Sequence, residues 1–358
     1  MKKILYIAPA HSTFVKRDIE ILGRNFDVVA PLVNWSRKGR FFLNIIAQKI
    51  FLFTHLKSAS AVYVMFAGYW SVLPVLFGKI YKKPVFIIAG GTDCVSFPEY
   101  NYGSLRKPLL RFMIKISFRF ATRVLPVAES LVKTEYKWTK TRFRHQGYMS
   151  FFPDIKTPYS IIHNGYYPVE HELVLAGKEP FSFVTVALVT DETRFILKGG
   201  DLVIMMAQRF PEFKFTFAGV SEAMINILSP DLPGNLTLMP PLTEEEVKDL
   251  LAKQMFYLSL SISEGFPNAL CEAMLAGCIP VGSDVGATSL IIGDCGKLIT
   301  AKDDELIVKA IEELTSQSVS VLTRLSGEAR SRILNMFPVS KREELLVRQV
   351  MPGGKPAK

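Results

Sequence analysis

The feature that most constrains this chain is an alternation that runs its course and then starts again. Short β-branched and aromatic runs recur, each followed by a polar or helical connection. They are "KKILYIAPA", "FDVVAPLV", "AVYVMF", "KPVFIIAGG" and "TRVLPVA". Ser12 or Thr13 is placed to cap a helix reaching about Leu22, and residues 102 to 120 read as helical. Strands alternating with helices predict a parallel, doubly wound sheet.

The series then restarts. "YSIIHNGYYP" (159–168) reads as a strand ending in an Asn-Gly turn, and "FSFVTVALV" (181–189) opens a second run. A helix from about Gly200 follows, then "FKFTFAG", "NLTLMPP", a helix over 243 to 253, "FYLSLSIS", "CIPVGSD" and "GKLIT". The expected architecture is α/β, with two Rossmann-like doubly wound domains facing a cleft. We place the first domain at 1–165, the second at 166–335, and a C-terminal helix and tail at 336–358 packing back on the first. Ligands of such sheets bind beyond the carboxyl ends of the strands.

A length of 358 residues suits two domains, and 49% hydrophobic residues exclude a disordered chain. Cys94, Cys271, Cys278 and Cys295 form no CxxC, and the five histidines are scattered, so no zinc site is expected. The opening apolar run is too short for the core of a signal peptide. Residues 58 to 78 are uncharged over a span that suffices to cross a bilayer, but Gly68 and Pro74 interrupt them, and "AVYVMF" reads as a buried strand.

Residues 1 to 160 carry 25 Lys and Arg against 8 Asp and Glu, a balance of +17, while the remainder stands at −7. The front half therefore suits an anionic partner. "SRKGRFFLNIIAQKIFLFTHLK" (36–57) sets Phe41, Phe42, Ile45, Ile46, Ile50, Phe51 and Phe53 among Arg37, Lys38, Arg40, Lys49 and Lys57. That composition fits an interfacial helix on anionic lipid, the alternative being a core-facing helix with a solvated basic face. "LRKPLLRFMIKISFRFATR" (105–123) repeats the theme, and no nucleic-acid-binding motif is present.

The chemistry concentrates in "SEGFPNALCEAM" (263–274). Glu264 and Glu272 are eight apart, roughly 80° apart on a helix, so they are no helical pair. Gly265 and Pro267 put Glu264 on a loop and Glu272 on the short helix that follows, ended by Gly277. The first amides of that helix lack intrahelical partners and suit a diphosphate.

This stretch, extended to "SEGFPNALCEAMLAGCIPVGSDVG", resembles the E-x7-E region of the retaining glycosyltransferases of family 4, which have the GT-B fold. "IIHNGYY" is similar to that family's interdomain signature, "LKGGDLVIMMA" to its Lys-Gly segment, and the run from "FTFAG" to "FYLSLSIS" to the approach to the motif. The resemblance is strong over about 159 to 300 and loose before it. It implies that Lys198 and Arg194 bind donor phosphate, although Arg194 is closer to the lysine than the family's arginine. Glu264 would contact the donor sugar, and Asp93 is carried over beside it as a catalytic candidate. Backbone at Gly265, Phe266, Pro267, Asn268, Ala269 and Leu270 would cradle sugar and phosphate, Glu272 would hold ribose, and Gly219 would pass the base. "AGGTD" aligns with a His-Gly-x-Asp stretch whose histidine is replaced by Gly90. His11 and Ser12 are acceptor-side candidates. His163 is read as a packing residue rather than a catalyst.

The resemblance implies a metal-independent enzyme without a cofactor. It would move a sugar from a nucleotide sugar, UDP favoured over GDP, to a lipid-linked or other cell-surface glycan in polysaccharide assembly. The expected location is the inner face of the cytoplasmic membrane, peripherally bound. A nucleotide-sugar epimerase of the same fold, or a non-catalytic membrane-associated partner with a degenerate site, are the alternatives.

Overall fold

The computed structural model describes residues 1–10, 12–31, 35, 38–168 and 177–351. The chain divides into two units. One holds Met1–Glu135, Arg142–Gly165 and the segment from Val339, and the other holds Tyr136–Thr141 and Tyr166–Pro338.

The first unit runs β1 (Lys3–Ile7), α1 (Thr13–Gly23), β2 (Asp27–Val29), α2 (Phe41–His55), β3 (Ala61–Met65), α3 (Tyr69–Ile80), β4 (Val85–Ala89), α4 (Pro108–Phe120) and β5 (Arg123–Pro126). An antiparallel pair, β6 (Thr134–Glu135) and β7 (His145–Gln146), and a single helical turn, α5 (Tyr148–Phe151), follow. The described strands β1 to β5 pair in parallel in the order β2-β1-β3-β4-β5. β3 and β4 are buried at every position, which is why their sequences are unbroken apolar runs rather than alternations. Right-handed crossovers place α2, α3 and α4 on one face of the sheet and α1 on the other. Accordingly α3 packs on both α2 and α4.

One expectation holds here and two change. The uncharged stretch 58–78 is β3, a turn and the start of α3, and among the described residues no helix is long and apolar enough to cross a membrane. The helix expected from residue 102 begins only at Pro108. Gly103 turns the chain at φ +87°, where a Cβ would lie 2.2 Å from the Val95 carbonyl oxygen, and Lys107 is extended before the proline. The strand expected through "FDVVAPLV" stops at Val29, just before Pro31, which has no amide for a ladder.

The second unit runs β8 (Glu179–Val189), α6 (Glu192–Leu197), α7 (Gly200–Arg209), β9 (Lys214–Val220), α8 (Glu222–Leu228), β10 (Leu236–Met239), α9 (Glu244–Lys253), β11 (Gln254–Ser259), α10 (Asn268–Leu275), β12 (Ile279–Ser283), α11 (Thr288–Ile292), β13 (Lys297–Ile299), α12 (Asp304–Thr315) and α13 (Val319–Met336). Its described strands pair in parallel in the order β10-β9-β8-β11-β12-β13. Phenyl rings bind the centre: Phe183 on β8 stacks on Phe215 of β9 at 5.1 Å and on Phe256 of β11 at 4.7 Å. The strand order reverses between β8 and β11, so the crevice of this sheet opens at their carboxyl ends. The stretch 159–168, expected as a strand, makes only isolated bridges, Tyr159 to Val124 and Tyr166 to Pro338.

The last helix, α14 (Val339–Val350), belongs to the first unit and packs on α1. Arg342 drives a bidentate pair onto Asp18 at 2.6 and 2.7 Å, both side chains almost fully buried. The Tyr6 hydroxyl donates to the same carboxylate at 2.9 Å, and Arg342 also donates to the Ile162 and His163 carbonyls. The buried pair is thus fully hydrogen-bonded, the condition under which burying charge is tolerated. Glu343 beside it accepts from Arg24 and Asn25. This half of the structure keeps its own termini together through polar contacts that no local sequence pattern announces.

Candidate functional site

Two loops meet at the reversal of the second sheet. One leaves β8 and passes through α6 to Lys198. The other leaves β11 and carries Glu264. Asp191 caps α6, its carboxylate accepting the Arg194 amide at 2.9 Å. α6 is short, and its end is tied to the second loop: the Ile262 amide donates to the Leu197 carbonyl at 2.8 Å. Gly199 then turns at φ +77°, with the Leu260 carbonyl oxygen 2.5 Å from where a Cβ would stand, so only glycine permits this approach. The result is an ion pair between the Lys198 ammonium and the Glu264 carboxylate, side chains 25% and 17% exposed. Sixty-six residues apart in sequence, they share one site because β8 and β11 are adjacent strands.

The Glu264 loop is held from beneath. Gly286, at φ +62°, lies under it with the Glu264 carbonyl oxygen 2.2 Å from a would-be Cβ, and the Ala287 amide donates to the Gly265 carbonyl at 3.0 Å. Buried Ser283 donates to the Ser261 carbonyl at 2.7 Å. From the other side the Tyr136 hydroxyl donates to the Ile262 carbonyl at 2.8 Å. These four supports were missed in the sequence. Only the glycine of "SDVGA" signals itself, as a position where backbone must pass close to backbone.

Beyond Pro267 the chain enters α10. Asn268, Ala269 and Leu270 supply its leading amides, and the Cys271 amide donates to the Pro267 carbonyl at 3.3 Å. The Tyr166 hydroxyl donates to the Asn268 side chain at 2.6 Å. The helix ends in a Schellman motif: Gly277 at φ +75° donates to Met274, and Cys278 donates to Ala273. Glu272 is half-buried on α10. Burial pushes the Tyr257 hydroxyl up in pKa, and the charges of Glu264 and Glu272 add to the rise, which places both carboxylates near one buried tyrosine.

Not every expected side chain points to a ligand. Phe266 is buried, stacked on Tyr166 and edge-on to Phe337, so its backbone alone is available; Leu270 is fully buried as well. Arg194 is largely exposed, and its guanidinium lies 3.3 Å from Asp191 at the start of its own helix. Gly219, at φ +101°, meets the Ala187 carbonyl of β8, where the register of that strand shifts. That crowding is a structural reason for the glycine in its own right.

In the first unit, Asp93 is a loop-organising residue. It is buried, one oxygen accepting the Ala67 amide at 2.9 Å and the other the Gly90 and Gly91 amides at 3.2 and 3.1 Å. Burial pushes its pKa up to about 6, against the lowering effect of these amides. Its carboxylate is thus occupied by backbone amides that shape the loop after β4. Ser12 occupies the N-cap of α1, but its hydroxyl makes no cap bond and is a buried atom without a partner among the described residues. His11 lies outside the described residues. His163 binds the Val127 carbonyl through Nδ1 at 2.8 Å, and burial lowers its pKa, in keeping with a packing role.

Residues 187–317 match the family model described as glycosyl transferases group 1. Over 140 residues, 38% of this chain, the sequence is 28% identical to ORF330, a protein named as a glycosyltransferase, of Acidianus filamentous virus 2 (isolate Italy/Pozzuoli); the match spans 42% of that relative. Among solved structures, Anabaena Alr3699/HepE in complex with UDP-glucose superposes with a TM-score of 0.72 at 13% identity, over 98% of this chain and 100% of that one. Sucrose-phosphate synthase from Thermosynechococcus elongatus does so with 0.72 at 13%, over 99% and 100%. The chain therefore has the GT-B fold of two Rossmann-like domains, and residues 187–317, which surround Lys198, Glu264 and Glu272, carry the pattern of the glycosyl transferases group 1.

Proposed function

We propose that this protein is a retaining, metal-independent glycosyltransferase of family 4. It transfers a sugar from a nucleotide sugar, UDP favoured over GDP, to a lipid-linked or other cell-surface glycan, at the inner face of the cytoplasmic membrane. The observation that carries the reading is the pairing of Lys198 with Glu264 beside the leading amides of α10. A cation and a helix N-terminus at one crevice suit a diphosphate, and they supply the positive field that a metal supplies elsewhere. The structures of Anabaena HepE with UDP and UDP-glucose and of S. aureus TarM with UDP support a uridine donor.

In this reading the donor diphosphate lies between Lys198 and the amides of Asn268, Ala269 and Leu270, and Glu272 accepts from the ribose hydroxyls. Glu264 binds sugar hydroxyls once the ligand draws Lys198 toward phosphate. The acceptor hydroxyl attacks the anomeric carbon on the face the diphosphate leaves. As the bond from that carbon to the phosphate oxygen breaks, the hydroxyl proton passes to the departing oxygen. The protein's part is positioning and charge stabilisation. The first unit is the acceptor side, with Ser12 at the start of α1, and the second binds the donor.

A panel of nucleotide sugars read by thermal shift tests the reading. A ligand at 100 times its Kd stabilises by about 2.7 kcal/mol. The reading requires a UDP-sugar to raise the melting temperature in EDTA, and Lys198→Ala to reduce the shift. A panel without response, or one that responds only with added magnesium, overturns it.

A further inference from the structure

The helix α2 is built inside out. Its inward face carries Asn44, Gln48 and Leu52, and the Gln48 amide donates to the Trp70 carbonyl at 2.7 Å. Its outward face carries Phe42, Leu43, Ile46, Ile50 and Phe53, exposed by 78, 64, 55, 61 and 52%. Positions 42, 46, 50 and 53 recur at helical spacing, so this is one continuous stripe. An ordinary surface helix has the opposite arrangement. The alternative of a core-facing apolar side with a solvated basic side is thereby removed.

The stripe continues across the layer. α3 exposes Leu76 and Ile80, and α4 exposes Leu109, Phe112 and Phe120. Phe53 of α2 meets Phe77 of α3 edge-on at 5.2 Å, joining the two helices at the surface. The charges around this face are predominantly of one sign, although Asp154 pairs with Lys115 and Arg119. Residues 28 to 92 and 105 to 128 contain no Asp or Glu at all. Arg40, Lys49, Lys57, Lys79, Lys82, Lys107 and Arg119 are exposed there. At the α4 end, Arg106, Arg111 and Lys115 line a recess of about 350 Å³ with Phe112, Phe151 and Phe152. Arg111 sits over the Phe151 ring at 5.3 Å, Lys115 is paired with Asp154 at 2.9 Å, and Arg106 Nε is buried without a partner among the described residues.

We infer that the outer face of the α2–α3–α4 layer seats on an anionic bilayer. Phe42, Leu43, Ile46, Ile50 and Phe53 enter the boundary between headgroups and acyl chains, and the surrounding cations, with the recess of Arg106, Arg111 and Lys115, lie at the level of the lipid phosphates. Charge complementarity selects this occupant. An anionic lipid surface meets a face on which exposed cations far outnumber carboxylates, Asp154 being paired with Lys115 and Arg119. The inference gives the membrane location in the proposed function a definite surface, and it does not depend on the donor site.

The test is co-sedimentation of the full chain with phosphatidylcholine vesicles, with and without phosphatidylglycerol, in the absence of nucleotide sugar. Binding is expected only with phosphatidylglycerol. Arg40→Ser, Lys49→Ser and Lys57→Ser together should weaken it about fivefold per cation at low salt. Ile46→Ser with Ile50→Ser, both at exposed positions, should remove at least about tenfold of the binding that persists near 1 M salt. The indole fluorescence gained in a Phe42→Trp variant should be quenched by lipids brominated in their acyl chains. Equal binding to both vesicle types, no binding to either, or an introduced indole that stays unquenched overturns the inference, and so does a wild-type dimer that Ile46→Ser with Ile50→Ser converts to monomer. Donor binding measured without lipid remains a separate readout, so failure here and failure of the donor site are distinguishable.

Discussion

Lys198 and Glu264 form an ion pair across the point where the second sheet reverses its strand order. Each arrives there from a different strand, and each loop is fastened by backbone contacts rather than by the pair itself. The pair is therefore free to be exchanged for ligand contacts without loss of the loops.

A double-mutant cycle follows from this. Lys198→Ala should weaken both UDP and the UDP-sugar, and Glu264→Ala should weaken the UDP-sugar while leaving UDP close to wild type. Each lost charged contact is worth about 1.5–3 kcal/mol. Titration calorimetry with the two ligands should give a coupling of about 0.5–3 kcal/mol for the sugar. Additive effects would mean that the residues do not meet one ligand, and unchanged turnover in folded Glu264→Ala would remove its sugar role.

Glu272→Ala should cost about 1.5–3 kcal/mol of UDP affinity, roughly tenfold or more, by removing a charge-assisted contact to ribose. A comparison of uridine diphosphate with its 2′-deoxy analogue decides the point. The wild type should discriminate between them and the variant should not.

Asp93 gives a pH signature. Its folded pKa lies near 6 against an ordinary 3.8, because burial disfavours the charged form. A raised carboxyl pKa means that the folded state binds the proton more tightly than the unfolded state. Its stabilising contribution is complete below about 3.8 and is lost as pH rises through 6, a change of about 3 kcal/mol for this group. Urea unfolding of Asp93→Asn between about pH 4 and 7 should lose this downward slope. The amide should also cost about 1–3 kcal/mol, because its NH₂ must face a backbone N–H. A slope equal to that of the wild type would show that another group titrates.

Arg342→Met should destabilise the first unit by about 3–5 kcal/mol, since it strands the buried Asp18 carboxylate. Asp18→Leu combined with Arg342→Met should recover much of that loss. Denaturant midpoints of the two variants test the ordering, and a double variant less stable than the single one would contradict it.

What the sequence determined by itself was the set of local patterns. β3, β4 and β11 were legible as apolar runs of strand length, α9 as a helix over 243 to 253, and the Glu264 loop with α10 through Gly265, Pro267 and Gly277. Such features depend on neighbours within a few residues, and backbone propensity and periodicity express them directly. What only the tertiary structure decided depends on chain segments far apart. Arg342 reaches Asp18 across 324 positions, Gly286 undercuts Glu264, and Asp93 turns inward to hold the amides of Ala67, Gly90 and Gly91. The orientation of α2 is the clearest case. Its sequence is apolar on more than one side, so periodicity alone leaves its facing open. The Gln48 bond to the Trp70 carbonyl and the burial of Asn44 settle which side turns inward, and the phenyl and isoleucine side chains are left outside.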